Sequence, residues 1–298
     1  MNTAITLSQY QFVRASGPDA RSFLQGQVSC DTNKITPTVS IPGALCNLKG
    51  RVIADFRALQ MGDDILLRVH GSLVETVLAV LKKYSVFSKV ELSHDTNIAA
   101  LGLLLRGADS EKSSLSPGLA AVATDIVSTD TVALEFWGSL DAIEAARAAL
   151  GGDYQSGAIA QWIELEIGSG IAHVSASLSE EYTPALLNYD ISGLIDFKKG
   201  CYTGQEIVAR MFYRSTPKKR LFAVTSQSSL PQPLHALLDD GAELIDSSEQ
   251  SPVLPLVTGA QSLLAILPVE APASEYQLRV NGENQARLHA SAFDYSRK

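Results

Sequence analysis
Asp196-Phe197-Lys198-Lys199-Gly200-Cys201-Tyr202-Thr203-Gly204-Gln205-Glu206-Ile207-Val208-Ala209-Arg210 is the stretch on which the reading of this chain turns. Within it Thr203 and Glu206 have capping-box spacing: the Thr203 hydroxyl can accept from the Glu206 amide while the Glu206 carboxylate reaches back to the Thr203 amide. A helix is therefore predicted to start there, with Ile207, Val208 and Met211 on one face. Cys201 would stand just ahead of its N-terminus, where unpaired amides and the macrodipole favour negative charge. Lys198 and Lys199 add positive charge, and both effects favour a thiolate. Gly200 and Gly204 bracket the cysteine and let the backbone turn tightly or approach a ligand. The plainer alternative is that Cys201 is a small apolar residue beside an ordinary helix start.

Outward from this stretch, residues 196 to 220 hold seven basic side chains, Lys198, Lys199, Arg210, Arg214, Lys218, Lys219 and Arg220, against Asp196 and Glu206. In a chain of formal net charge -8, that local excess is a candidate seat for an anionic ligand; a solvated helix face is the other reading. The overall charge repels a phosphate backbone, so direct, strong nucleic-acid binding is not expected.

Three cysteines, Cys30, Cys46 and Cys201, form no CxxC pair and are odd in number, which argues against a disulfide framework or zinc knuckle and for a reducing compartment. Met1 to Tyr10 lacks the charged and apolar regions of a secretory signal. The longest apolar runs, such as Ile98 to Leu105, fall short of the roughly 20 residues that span a bilayer. No membrane association and a cytoplasmic location are expected. The five histidines, His70, His94, His173, His235 and His289, show no metal-ligand spacing and are read as structural or exposed. No metal is expected. Gly168-Ser169-Gly170 is followed by His173 where a dinucleotide fingerprint wants glycine, and no phosphate loop occurs. Three dispersed cysteines do not supply the four ligands an iron-sulfur cluster usually takes.

Apolar residues make up 46% and charged ones 19% of 298 positions, the composition of a globular chain long enough for two or three packed units. A strand near Phe12 precedes a short helix opened by Ser16 and Asp19 and closed at Gln25-Gly26. Apolar segments Ala44 to Leu48, Val52 to Met61 and Ile65 to Val69 predict a strand meander, with a hairpin turn at Gly62-Asp63-Asp64. Ser72 and Glu75 are spaced to cap a helix bearing Val74, Val77, Leu78 and Leu81 and ending near Tyr84. A second mixed unit, about Val90 to Gly152, carries strands at Ile98 to Leu105 and Val132 to Trp137 and a helix stopped by Gly151-Gly152, with a loop at Ser110 to Pro117. Further helices are expected over Gln161 to Ile167 and from Thr183-Pro184. From Leu221 onward, short apolar stretches broken by prolines, with Asn281-Gly282 between two strand-like runs, predict a small β domain of barrel-like form. The resulting division is 1–220, itself separable into about 1–95 with 153–220 and about 96–152, followed by 221–298.

The segment from Asp196 to Arg210 resembles the signature of YgfZ-type folate-binding proteins, relatives of the glycine-cleavage T-protein. The resemblance extends through Gly17-Pro18-Asp19-Ala20-Arg21-Ser22-Phe23-Leu24-Gln25-Gly26-Gln27-Val28, Lys49-Gly50-Arg51-Val52-Ile53-Ala54-Asp55-Phe56 and Thr183-Pro184-Ala185-Leu186-Leu187-Asn188. It implies an α+β fold of three domains in a ring around a central channel that receives tetrahydrofolate, including polyglutamylated forms. It also implies a role in assembling or repairing iron-sulfur proteins, among them tRNA-modifying enzymes, with Cys201 as the reactive residue. By position, Asp55 matches a carboxylate near the reacting folate nitrogen, and Glu166 one that holds the pterin ring. Lys199, Gly200, Tyr202, Gly204, Gln205, Glu206 and Arg210 are the signature's candidate folate contacts. Three functions stay open: a non-enzymatic folate-dependent maturation factor, a folate-dependent aminomethyl transferase, and a binding module with an inert cysteine.

Overall fold
A computed structural model gives the fold and describes residues 2–106, 118–126, 128–247, 251–271 and 275–295. The loop expected at Ser110 to Pro117 lies outside them. In chain order come β1 (Asn2–Thr6), β2 (Tyr10–Ser16) and α1 (Ala20–Gln25). The meander is β3 (Ile41–Cys46), β4 (Val52–Met61) and β5 (Asp64–His70), followed by α2 (Val74–Tyr84) and β6 (Glu91–Asp95). Next are β7 (Ile98–Arg106), β8 (Ala120–Val122), β9 (Thr131–Ser139), α3 (Leu140–Ala149), β10 (Tyr154–Ser156) and α4 (Ile159–Gly168). The signature continues into α5 (Gln205–Arg214), and β11 (Lys219–Ser226) and α6 (Leu234–Asp239) follow. The last strands are β12 (Glu243–Asp246), β13 (Ser251–Pro252), β14 (Pro255–Thr258), β15 (Ser262–Pro268), β16 (Glu275–Val280) and β17 (Glu283–Ser291).

These strands form three sheets, ordered β3-β4-β5-β2-β6, β10-β1-β7-β9-β8 and β13-β12-β16-β17-β11-β15-β14. The first and third are antiparallel throughout; in the second, only β1 with β10 runs parallel. The two hairpin turns read from the sequence form as their residues dictate. Gly62 takes φ 63°, and Asn281 and Gly282 take φ 51° and 83°, the positive pair that a two-residue β-hairpin turn requires.

Alternation along the strands sorts the first sheet into two faces. Ala54, Phe56, Ala58, Ile65, Leu67 and Val69 pack with Phe23, Leu24, Val77 and Leu81 of α1 and α2. On the other face Phe12, Leu59 and Leu66 meet Ile5, Leu104, Trp137 and Trp162, so the first two sheets and α4 share a core. The far face of the second sheet is covered by Ile143 and Ala146 of α3. The curled third sheet has its own core around Val224, Leu263, Tyr276 and Leu278. It is tied to α4 by Glu164, whose carboxylate accepts from the Ala260 amide at 2.6 Å and the Ser262 hydroxyl at 2.5 Å. Among the described residues, no helix is long and apolar enough to cross a membrane.

Three helix starts differ from the sequence expectation because the capping side chains bond elsewhere, and a fourth expected helix does not form. Asp19 accepts from the Lys89 amide at 2.7 Å, and α1 begins without a side-chain cap. The Ser72 hydroxyl bonds His70 Nδ1 and accepts from the Ala176 amide. Thr203 donates to Gln27 Oε1 at 3.1 Å, so its box with Glu206 does not form and Gly204, at φ 84°, becomes the N-cap of α5. After Thr183-Pro184 the chain makes hydrogen-bonded turns rather than a helix, and Asn188 enters the left-handed region at φ 60°.

Candidate functional site
Charged side chains interrupt the apolar face where the first two sheets meet: Asp55 and Arg57 on β4, Arg68 on β5 and Glu135 on β9, all buried. A buried charge is stable only when paired, and each of these is. Arg68 Nη1 donates to both oxygens of Glu135 at 3.0 and 2.9 Å, and Glu135 also accepts from Trp137 Nε1 at 2.6 Å. Arg57 pairs with Asp125. Burial would weaken the Arg68 proton, but Glu135 and the other surrounding anions outweigh it and hold the guanidinium charged.

Asp55 sits 2.5 Å, through Oδ2, from His173 Nδ1, and its Oδ1 accepts from the Val174 amide at 2.7 Å. Glu166, on the inner face of α4, accepts at Oε1 from Tyr10 at 2.6 Å and Trp162 Nε1 at 2.7 Å. His173 Nε2 lies 3.4 Å from the same oxygen without hydrogen-bond geometry. The imidazole therefore stands between the two carboxylates. Burial opposes its charge, but Asp55 and then Glu166 outweigh burial and raise its pKa to about 9. Burial likewise pushes both carboxyls up, yet His173 and other partners bring the net shift of each downward. The unit is thus an imidazolium between two carboxylates at neutral pH.

Asp55, Arg57, Arg68, Glu135, Glu166 and His173 line one cavity, with Trp162 and Ile171 among its apolar walls and Asp125 at its edge. Four carboxylates and three cations face each other there, so the cavity suits a neutral or cationic heterocycle better than a phosphate. Arg68 Nε is buried without a hydrogen bond, and so is His173 Nε2 although Glu166 Oε1 stands 3.4 Å away, which makes both donors suited to a ligand's acceptor atoms. A second cavity shares Glu166, Ile171 and His173 and adds Tyr10, Leu178 and, from β14, Leu256 and Val257. The third sheet therefore reaches the site. Among the described residues, no cluster of His, Cys, Asp and Glu could hold a metal ion.

The signature segment lies apart from this cavity: Lys199, Gly200, Cys201, Tyr202, Gly204, Gln205, Glu206 and Arg210 are absent from its walls. Lys199 turns inward, and Nζ donates to the carbonyls of Gln25 at 2.7 Å and Val28 at 2.5 Å, 5.1 Å from the centre of the Tyr202 ring. Its ammonium, expected from the sequence to stand beside the Cys201 thiol, is committed to the end of α1, and burial lowers its pKa. Gln205 Oε1 accepts from the Tyr202 amide at 3.2 Å. Gly200, Cys201, Glu206 and Arg210 are exposed. Cys30 and Cys46 are buried, and burial pushes both thiols up to about 12.

Asp55 and Glu166 are thus brought together, and the signature is held separately. Sequence reasoning missed His173, Arg68 and Glu135. The signal available was a charge inside an apolar strand run, as in Val52 to Met61, Ile65 to Val69 and Val132 to Trp137. His173 carried no local signal, since its partner Asp55 is 118 positions away.

No protein-family model matches the chain. A curated protein of Edwardsiella ictaluri named tRNA-modifying protein YgfZ is 30% identical over an alignment covering 99% of this chain and 92% of that protein. Proteins of the same name from Klebsiella pneumoniae and Colwellia psychrerythraea are 30% and 33% identical, each over 76% of this chain and 72% of their own length. Among solved structures, the glycine cleavage system aminomethyltransferase T from Bartonella henselae superposes with a TM-score of 0.72, at 15% identity, over 99% of this chain and 86% of that one. The α+β, T-protein-like fold expected from the sequence is the fold the chain adopts. Sharing 30% identity with a curated member across 99% of its length, the chain belongs to the YgfZ family.

Proposed function
We infer that the cavity between the first two sheets receives the pterin ring of tetrahydrofolate, and that the chain is a cytoplasmic folate-binding factor supporting assembly or repair of iron-sulfur proteins, tRNA-modifying enzymes among them. The observation that carries the folate reading is the presence, in one cavity, of the Glu166 carboxylate and two buried donors without a hydrogen bond, His173 Nε2 and Arg68 Nε. A pterin presents an amino group and a ring N–H as adjacent donors, which a carboxylate can accept together, and a ring carbonyl that takes a hydrogen bond. In this reading Glu166 holds the donor edge, His173 and Arg68 meet the carbonyl side, and Trp162 supplies apolar wall. Asp55, ionised and held by His173 and the Val174 amide, orients the imidazole.

Cys201 is the reactive element of the proposal. It is the exposed cysteine of the three, and it belongs to a loop fixed from beneath by Lys199 and Tyr202. The second reading is aminomethyl transfer to folate, favoured by the likeness in fold to an aminomethyltransferase and by the buried, ionised Asp55. Replacing Cys201 by alanine separates the two: the maturation factor loses client activity while still binding folate, whereas a transferase keeps both folate binding and its transfer activity.

The test of the shared premise is titration with tetrahydrofolate. A ligand bound only by the native state adds about 2.7 kcal/mol of stability at one hundred times its Kd. The melting temperature should rise accordingly, and Glu166→Gln should weaken binding by about ten- to a hundredfold, the effect of a lost charge-assisted hydrogen bond. A melt unmoved by millimolar tetrahydrofolate overturns the assignment.

A further inference from the structure
We propose that the outer face of α5, with the turn before it, is a docking surface for an acidic segment of a partner protein, a role separate from the cavity and independent of whether that cavity takes folate. Phe197 stacks on Phe212 at 3.9 Å between ring centroids and 18° between planes, and Tyr213 stands edge-on to both, at 5.9 and 5.0 Å. Phe212 and Tyr213 are nevertheless 39% and 68% exposed. Aromatic side chains clustered on a surface are the usual anchors of protein interfaces.

Within the same stretch of chain, residues 197–219, are the exposed cations Lys198, Arg210, Arg214, Lys218 and Lys219. Among the described residues none of the five has a salt-bridge partner, whereas Arg220 pairs with Asp190, Lys199 is buried on carbonyls, and the neighbouring Asp196 is neutralised by Lys34. Arg210 and Arg214 are one helical turn apart, and Tyr213 lies between them in sequence, so charge and ring occupy one region of the helix surface. Glu206, exposed on the first turn of α5, is outnumbered by these five cations, so in a chain of net -8 this face is basic against the field of the whole, which selects an acidic partner for it. A single nucleic-acid strand fits less well, because Phe197 and Phe212 already cover one ring face each, leaving less platform for bases.

The test uses the full chain and a fluorescein-labelled peptide of alternating glutamate and leucine. Saturable binding is expected, weakened on the order of tenfold by Arg214→Glu and again by Phe212→Ser with Tyr213→Ser, as loss of interface anchors produces, and weakened by added salt. The melting temperatures of the variants, read alongside, identify any loss that comes from unfolding; in that event Lys218→Glu with Lys219→Glu, off the helix, carries the test. Four results overturn the proposal: no saturable binding, tighter binding of oligouridylate lost in the same variants, concentration-dependent self-association lost in them, or weakening of triglutamyl tetrahydrofolate but not of the peptide.

Discussion
His173 Nδ1 lies 2.5 Å from Asp55 Oδ2, joining a residue that follows α4 to the middle of β4. Because the folded pKa of His173, about 9, exceeds its ordinary value of about 6.5, the stabilisation from its charge is complete below pH 6.5 and is lost as pH rises toward 9. Asp55 and Glu166 are shifted downward, so their contribution is complete above the ordinary carboxylate range and lost as pH falls through their folded values. His173→Gln should flatten the decline in melting temperature between pH 6.5 and 9 relative to the parent chain. Parallel curves would mean that the imidazole is neutral in the fold.

Cys201 is exposed while Cys30 and Cys46 are buried with thiols pushed up to about 12. Iodoacetamide on the native protein should therefore modify Cys201 first and the other two only after denaturation, read by peptide mass spectrometry. Equal labelling of all three in the native state would contradict this packing.

Lys199 serves the fold through the carbonyls of Gln25 and Val28. Lys199→Met leaves both buried acceptors without their charged donor and should cost about 2–3 kcal/mol, measured by urea unfolding. An unchanged unfolding midpoint would instead place the lysine in solvent.

The two signature glycines should differ. A Cβ on Gly204 would meet the Asn47 carbonyl oxygen at 2.4 Å, and its φ is 84°, so Gly204→Ala should lose at least about 2 kcal/mol. Gly200 has nothing within 4 Å of such a Cβ and no positive φ, so Gly200→Ala should stay within about 0.5 kcal/mol. Comparable losses at both positions would make Gly200 conformationally required as well.

Arg68 and Glu135 bridge the first two sheets in a setting where removing one partner strands a buried charge. Arg68→Met should cost about 3–5 kcal/mol, and Arg68→Met with Glu135→Gln distinctly less than the two changes summed. Additive losses would show that the pair is not coupled.

About half of the described strands were legible because their evidence is local: the meander over β3 to β5 and the Asn281-Gly282 hairpin follow from alternation and turn chemistry. The capping side chains were misread for one shared reason. Asp19, Ser72 and Thr203 sit at proper cap spacing, but each bonds a residue from a distant part of the chain, Lys89, Ala176 and Gln27, and no local pattern announces that. The site divides the same way. Asp55 and Glu166 came from family resemblance, whereas His173 becomes meaningful only when folding sets it between them. Lys199 is expected beside the Cys201 thiol because its spacing from Cys201 is visible and its burial is not.

The pairing of Asn2 with Tyr154 and of Thr3 with Leu104 gives the protein a schedule. During synthesis at about 5–20 residues per second, β1 waits on the order of ten seconds or more before both neighbouring strands have emerged, while β2 to β6 can already close their own sheet. Until then its backbone edges are unpaired and open to chaperones or to other nascent chains. A tag or truncation that disturbs residues 2–6 should thus reduce the yield of folded protein far more than its small size suggests, leaving the first sheet formed and the second without the strand that joins β10 to β7.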